Sequence, residues 1–211
     1  PDARQGSVEE TTVHSQVFGG ERPVAVYLPA RFRDTRRYPL LVAHDGFDFL
    51  RFASLQTVLD NLIHRLAIPP MVVAMTQSSD RMREYAADDR HAEFLVADLV
   101  PQLEARYPLV RQPSARGLLG ASFGAVASLH AAWRHPGFFG RLLLQSGSFV
   151  FTEIGEHDRG PVFDPLVRFV NEFRQAPGKP AEQVYMSCGV YESLIYENRS
   201  IVPLLQDTGM V

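Results

Sequence analysis

Leu118-Leu119-Gly120-Ala121-Ser122-Phe123-Gly124-Ala125 sets a serine between two glycines in the pattern G-x-S-x-G. A serine on a sharp strand-to-helix turn projects its hydroxyl from the edge of a sheet, and only small neighbours permit that backbone shape. Its Oγ then lies at a helix N-terminus, where N–H groups and the helix dipole favour developing negative charge. Three fixed positions at roughly 7% each give ~0.07 chance matches in a chain this long. The apolar Leu118-Leu119 before the motif and the helical pattern over Ala125–Arg134 after it supply the context. The chemistry this implies is nucleophilic attack by Ser122 on an acyl carbonyl. A tight turn that merely needs small residues is the competing account. Ser146 and Ser148, flanking Gly147 just past a strand-like run, read as turn residues, and Ser78-Ser79 read as loop.

A serine nucleophile also needs donors for the oxyanion. The backbone N–H of Phe123, next after Ser122, is one. The other is expected from the turn Asp45-Gly46-Phe47, through the amide of Phe47 or Gly46, where the chain leaves an apolar strand and bends towards the site. Asp-Gly is equally a common plain-turn signal.

Six short apolar runs must carry these turns: Val24–Leu28, Pro39–His44, Met71–Met75, Gly117–Gly120, Arg141–Gln145 and Gln183–Cys188. Pro39-Leu40-Leu41-Val42-Ala43-His44 is apolar on nearly every residue, as a strand covered on both faces should be. Between the runs, three- and four-residue apolar spacing predicts helices over 49–66, 91–106 (bent at Pro101), 163–173 and 192–207 (interrupted at Pro203, stopped by Gly209). Alternating strands and helices signify a single α/β domain with a mostly parallel sheet and helices on both faces. Met210-Val211 reads as the opening of one more strand.

Composition excludes several classes. The 211 residues are 45% hydrophobic and 21% charged, with a formal charge of −3. Disorder, coiled coil and collagen-like repeats do not fit. No run approaches the ~18 apolar residues of a membrane span, and no basic field suits nucleic acid. Cys188 is the only cysteine, so no internal disulfide forms, and a reducing, cytoplasmic compartment is expected. H-E-x-x-H, C-x-x-C, Walker-type and G-x-G-x-x-G patterns are all missing, so neither metal nor cofactor is implied.

Taken together, several segments resemble the catalytic domain of the enterochelin (ferric-enterobactin) esterase family, in the esterase-D-like branch of the α/β-hydrolases. They are Val26-Tyr27-Leu28-Pro29, Tyr38–Val42 leading into Asp45-Gly46, Arg81-Met82-Arg83-Glu84-Tyr85, and Phe94-Leu95 to Leu99-Val100-Pro101. Gly120–Gly124, Gln145-Ser146-Gly147-Ser148-Phe149 and Gly189-Val190-Tyr191-Glu192 complete the series in the family's order. The resemblance implies an α/β-hydrolase fold with Ser122 as nucleophile and Glu192 as the acidic triad member. It also implies that Arg81 lies near the site, where it could hold an anionic group of the substrate. Glu192 could instead favour the N-terminus of the last helix, and Arg81 could pair with Glu84 or Asp80.

The triad of this fold runs serine, acid, histidine, and no histidine follows Glu192. Of His14, His44, His64, His91, His130, His135 and His157, only His157 sits in a loop expected at the catalytic edge, and an exposed polar loop explains it as well. The expectation is therefore a domain whose last strand, histidine-bearing loop and closing helix lie beyond residue 211. The function expected is a serine esterase acting on a small-molecule ester, with a ferric siderophore lactone as the substrate the resemblance suggests. The family's separate N-terminal domain is not in this chain, which leaves room for a feruloyl or acetyl sugar ester or for acyl transfer. A non-catalytic binding protein on a hydrolase fold is the rival class.

Overall fold

The computed structural model describes residues 3–152 and 159–211, so His157 lies outside the described residues. The strands are β1 (Ser7–Ser15), β2 (Gly20–Leu28), β3 (Leu40–Ala43), β4 (Val72–Thr76), β5 (Arg116–Ala121), β6 (Arg141–Gln145) and β7 (Gln183–Ser187). They form one sheet in the order β1-β2-β4-β3-β5-β6-β7. β1, β2 and β4 pair antiparallel, and β4, β3, β5, β6 and β7 pair parallel. The helices are α1 (Gly46–Phe52), α2 (Leu55–His64), α3 (Arg81–Glu84), α4 (Asp89–Glu93), α5 (Val100–Arg106), α6 (Phe123–Arg134), α7 (Asp164–Gln175) and α8 (Ile195–Asp207).

Successive residues of a strand face opposite sides of a sheet, and here both sides are apolar. Val72 and Ala74 of β4 enter one core with Val24, Val26, Leu40, Val42 and Leu118. Val73 and Met75 enter the other with Ala25, Tyr27 and Ala43, under Leu55 and Leu59 of α2. That is why these runs show no alternation in sequence. α7 supplies the stripe expected of a surface helix, burying Leu166, Val167, Phe169, Val170 and Phe173.

Three expectations need correction. The helix foreseen over 49–66 is two helices, because Ser54 takes φ 50°, a left-handed conformation that ends α1 before α2 begins. The stretch over 91–106 does not simply bend at Pro101. It widens into a π-helical turn over Phe94–Leu99 just ahead of that residue, which lacks the N–H an α-helical ladder needs. α8 runs unbroken through Pro203, since Arg199, whose carbonyl loses its partner, lies on the exposed side with Pro203 itself. β1, an edge strand of mixed polarity, was not foreseen at all. At the opposite edge, Val211 donates its N–H to Glu182 O and accepts from Val184 N, both at 3.0 Å, on the outer side of β7. Among the described residues no helix is long and apolar enough to cross a membrane.

Candidate active site

β3 and β5 are neighbours, yet the chain leaves β3 for β4 on one side and β5 for β6 on the other. The crevice outside their carboxyl ends is a topological switch point, where open α/β sheets bind ligands. Both strands turn into helices there, and both turns are strained. Ser122, between β5 and α6, has φ 55° and ψ −118°, while Asp45, between β3 and α1, has φ 52° and ψ 34°. Gly120 makes the first turn feasible: a Cβ there would lie 2.1 Å from Gly124 O and 2.7 Å from Ala125 N. Ser122 N–H donates to Gln145 O at 3.0 Å, tying the turn to the end of β6.

Phe123 is the first residue of α6, and Gly46 and Phe47 are the first two of α1. First-turn N–H groups have no intrahelical acceptor, so the two helix starts present donors at the ends of adjacent strands. Asp45 N–H is already engaged by the Tyr85 hydroxyl at 3.4 Å.

A cleft of about 430 Å³ opens over this edge, lined by Ser122, Ser146, Asp45, Arg81, Phe49 and Phe52 among others. Phe52 is 74% exposed, a large apolar surface left beside the nucleophile candidate. Arg81 pairs with neither Glu84 nor Asp80. Its Nε donates to Asp45 Oδ2 at 2.8 Å and its Nη2 to Ala121 O at 3.4 Å, while Glu84 is taken by Arg22 at 2.5 Å. Burial pushes the Asp45 carboxyl up from its ordinary range, and the Arg81 guanidinium partly offsets that.

Glu192 sits beyond β7 in an exposed turn, its Oε1 accepting from Gly189 N at 2.8 Å and Ser146 Oγ at 2.9 Å. The carboxylate is thus held over the end of β6 rather than at the start of α8, three residues further on. Ser146 and Ser148, read from sequence as turn residues, are part of the assembly. Ser148 Oγ lies 3.1 Å from Ser122 Oγ, and Ser148 N–H donates to Ser122 O at 3.3 Å. The buried Asn198 of α8 fixes the glycine between them, accepting from Gly147 N at 3.1 Å and donating to Gly147 O at 2.8 Å. No sequence signal marks these contacts, because they join residues 26 and 51 positions apart.

Of the described histidines, none hydrogen-bonds to Ser122. His44 and His91 face each other, their Nε2 atoms 2.9 Å apart, and His130 pairs with Asp89 at 3.2 Å. His14 pairs with Glu21 and His135 with Glu93. A larger cleft of about 500 Å³ lies between α4, α6 and α7, where Arg83, Arg134 and Arg168 stand against Asp88, Asp89 and Glu172. Its charges offset one another and it holds no nucleophile, so the smaller cleft is the candidate site. Among the described residues no group of His, Cys, Asp and Glu could hold a metal ion.

The sequence matches the family described as "Putative esterase" over residues 15–206. It is 27% identical over 169 residues to the iron(III) enterobactin esterase of Escherichia coli O6:H1 (strain CFT073), covering 79% of this chain and 42% of that protein. The enterobactin esterase FES from Shigella flexneri, solved in the presence of enterobactin, superposes with a TM-score of 0.80 at 21% identity, over 99% of this chain and 53% of that one. The CE1 ferulic acid esterase AmCE1/Fae1A from Anaeromyces mucronatus, in complex with ferulic acid, superposes with a TM-score of 0.76 at 16% identity, over 100% of this chain and 82% of that one. These likenesses establish the α/β-hydrolase fold. The chain spans between 33% and 63% of the length of the curated relatives it matches.

Proposed function

The chain belongs to the esterase family, and from that premise we propose that it hydrolyses carboxylic esters with Ser122 as the nucleophile. The observation that carries this reading is the strained turn of Ser122 at the switch point, opening into a cleft with Arg81. Ser122 Oγ attacks the ester carbonyl and the alkoxide departs, leaving an acyl enzyme that water hydrolyses. Amides of Phe123 and of Phe47 or Gly46 hold the oxyanion of each tetrahedral intermediate. A histidine that is not among the described residues takes the serine proton and returns it to the leaving group. Glu192, steadied by Ser146 and Gly189, orients that histidine.

The acyl part of the substrate carries an aromatic ring, as in a catecholate siderophore lactone or a feruloyl ester; the names of relatives carry iron(III) enterobactin and ferulic acid. Phe49 and Phe52 offer a stacking wall beside Ser122, and Arg81 can meet an anionic substituent. A panel of p-nitrophenyl esters tests the proposal. Aryl acyl groups should outpace acetate in kcat/KM, and Ser122→Ala should abolish turnover of both. Full turnover in Ser122→Ala would remove the nucleophile. A chain that binds aryl esters without any Ser122-dependent turnover would be the binding protein instead.

A further inference from the structure

Beneath the nucleophile turn lies a chain of buried polar groups that the reaction as described does not use. His44, at the end of β3, is fully buried, and His91 of α4 is 3% exposed. His44 Nδ1 lies 3.0 Å from Ser128 Oγ and 3.3 Å from Leu119 O. Ser128 is one turn into α6, and its hydroxyl donates to Gly124 O at 2.8 Å. The chain therefore runs from His91 to the last glycine of G-x-S-x-G. A Cβ on that glycine would come within 3.1 Å of His44 Cβ.

Donors and acceptors assign the protons. The Ser128 hydroxyl gives its hydrogen to Gly124 O, and Leu119 O can only accept, so His44 Nδ1 must be the donor to both oxygens. Burial holds the His44 imidazole neutral, well below its ordinary range, with the charge of His91 and then Arg81 acting in the same direction. A neutral ring with hydrogen on Nδ1 has a bare Nε2, so the 2.9 Å contact requires His91 Nε2–H to donate. On its other side His91 Nδ1 has no hydrogen-bond partner, and Glu84 Oε2 stands 3.7 Å off.

We propose that His91, donating through Nε2, acts with His44 and Ser128 as a set of positioning residues. They fix the nucleophile turn by a one-way run of donors into Leu119 O and Gly124 O. The groups around His91 hold its ring in place: Glu84, paired with Arg22 of β2, stands beside it, Tyr85 just after α3 packs its hydroxyphenyl ring at 5.0 Å, and His130 with Asp89 lies on the α6 side. Asp45 and Arg81 pair beyond His44.

This deepens the assignment of Ser122 and rests on it, so the test has one arm that does not depend on turnover. Long-range 1H–15N spectra of the labelled protein should show hydrogen on Nε2 of His91 and only on Nδ1 of His44. A bare His91 Nε2, or hydrogen on His44 Nε2, would overturn the proposal even if Ser122→Ala were inactive. In p-nitrophenyl ester hydrolysis, His91→Phe should lower kcat about 10-fold with KM within about twofold. His91→Gln, whose amide can still donate to His44, should recover kcat to within about threefold. If His91→Phe does not fold, Ser128→Ala replaces it, with a several-fold loss in kcat at unchanged KM. Wild-type kcat in whichever of these two variants folds would overturn the positioning role. Turnover surviving Ser122→Ala, with the histidine assignment intact, would instead remove the nucleophile.

Discussion

Replacing Ser122 by glycine and by alanine should separate the two things this residue does. Its φ of 55° and ψ of −118° are those of the first central position of a type II′ turn, which glycine dominates. A non-glycine residue held in such a region costs on the order of 1–3 kcal/mol. Both substitutions delete the hydroxyl and its contact with Ser148, so that loss cancels between them. What remains is the Cβ. Alanine keeps the strain, while glycine relieves it and loses about 0.5–1 kcal/mol through its freer unfolded chain. Ser122→Gly should therefore be more stable than Ser122→Ala by about 0.5–2 kcal/mol, a reversal of the usual order. Urea unfolding followed by fluorescence, with equal slopes for both proteins, reads the difference directly. If alanine equals or exceeds glycine, the turn is not strained at Ser122 and the argument for a built nucleophile position fails.

Gly120→Ala should destabilise by more than about 2 kcal/mol, because its Cβ would meet backbone atoms of Gly124 and Ala125 that cannot move without breaking the turn; a urea midpoint near wild type would contradict this. Glu192→Gln should keep the fold, since an amide oxygen can still accept from Gly189 N and Ser146 Oγ, yet lower kcat by about 10²-fold or more if the carboxylate orients the base. Unchanged kinetics would remove Glu192 from the machinery. Stability should also fall in mild acid. Burial lowers the His130 pKa to about 4, so between about 4 and its ordinary value of 6.5 the unfolded chain binds more protons than the folded one. The stabilisation from its neutral form is complete above 6.5 and is lost as pH falls towards 4, and the buried His44 shifts in the same direction. Urea unfolding at pH 5 against pH 7.5 should show a loss on the order of 2 kcal/mol from His130, and His130→Phe should flatten it.

Much of the fold was legible because its signals are local. Leu40-Leu41-Val42-Ala43 and Val72–Met75 announce strands buried on both faces, and G-x-S-x-G between Leu118-Leu119 and a helical stretch locates the strained turn. β1 escaped notice because an edge strand exposed along much of its length carries no apolar run. The break at Ser54 escaped because a left-handed serine has no compositional mark.

By itself, then, the sequence determined the α/β layering, the nucleophile candidate and, through resemblance, Glu192 as the candidate acid and Arg81 as a residue of the candidate site. Tertiary structure decided who touches whom. It gave Arg81 to Asp45 and Glu84 to Arg22, drew Ser148 against Ser122, and joined His44 to His91 across 47 residues of chain. The physical reason is range. Hydrophobic period and turn chemistry are written within a few residues, whereas a buried polar group takes whichever partner the packing of β3, α3, α4 and α6 brings within about 3 Å.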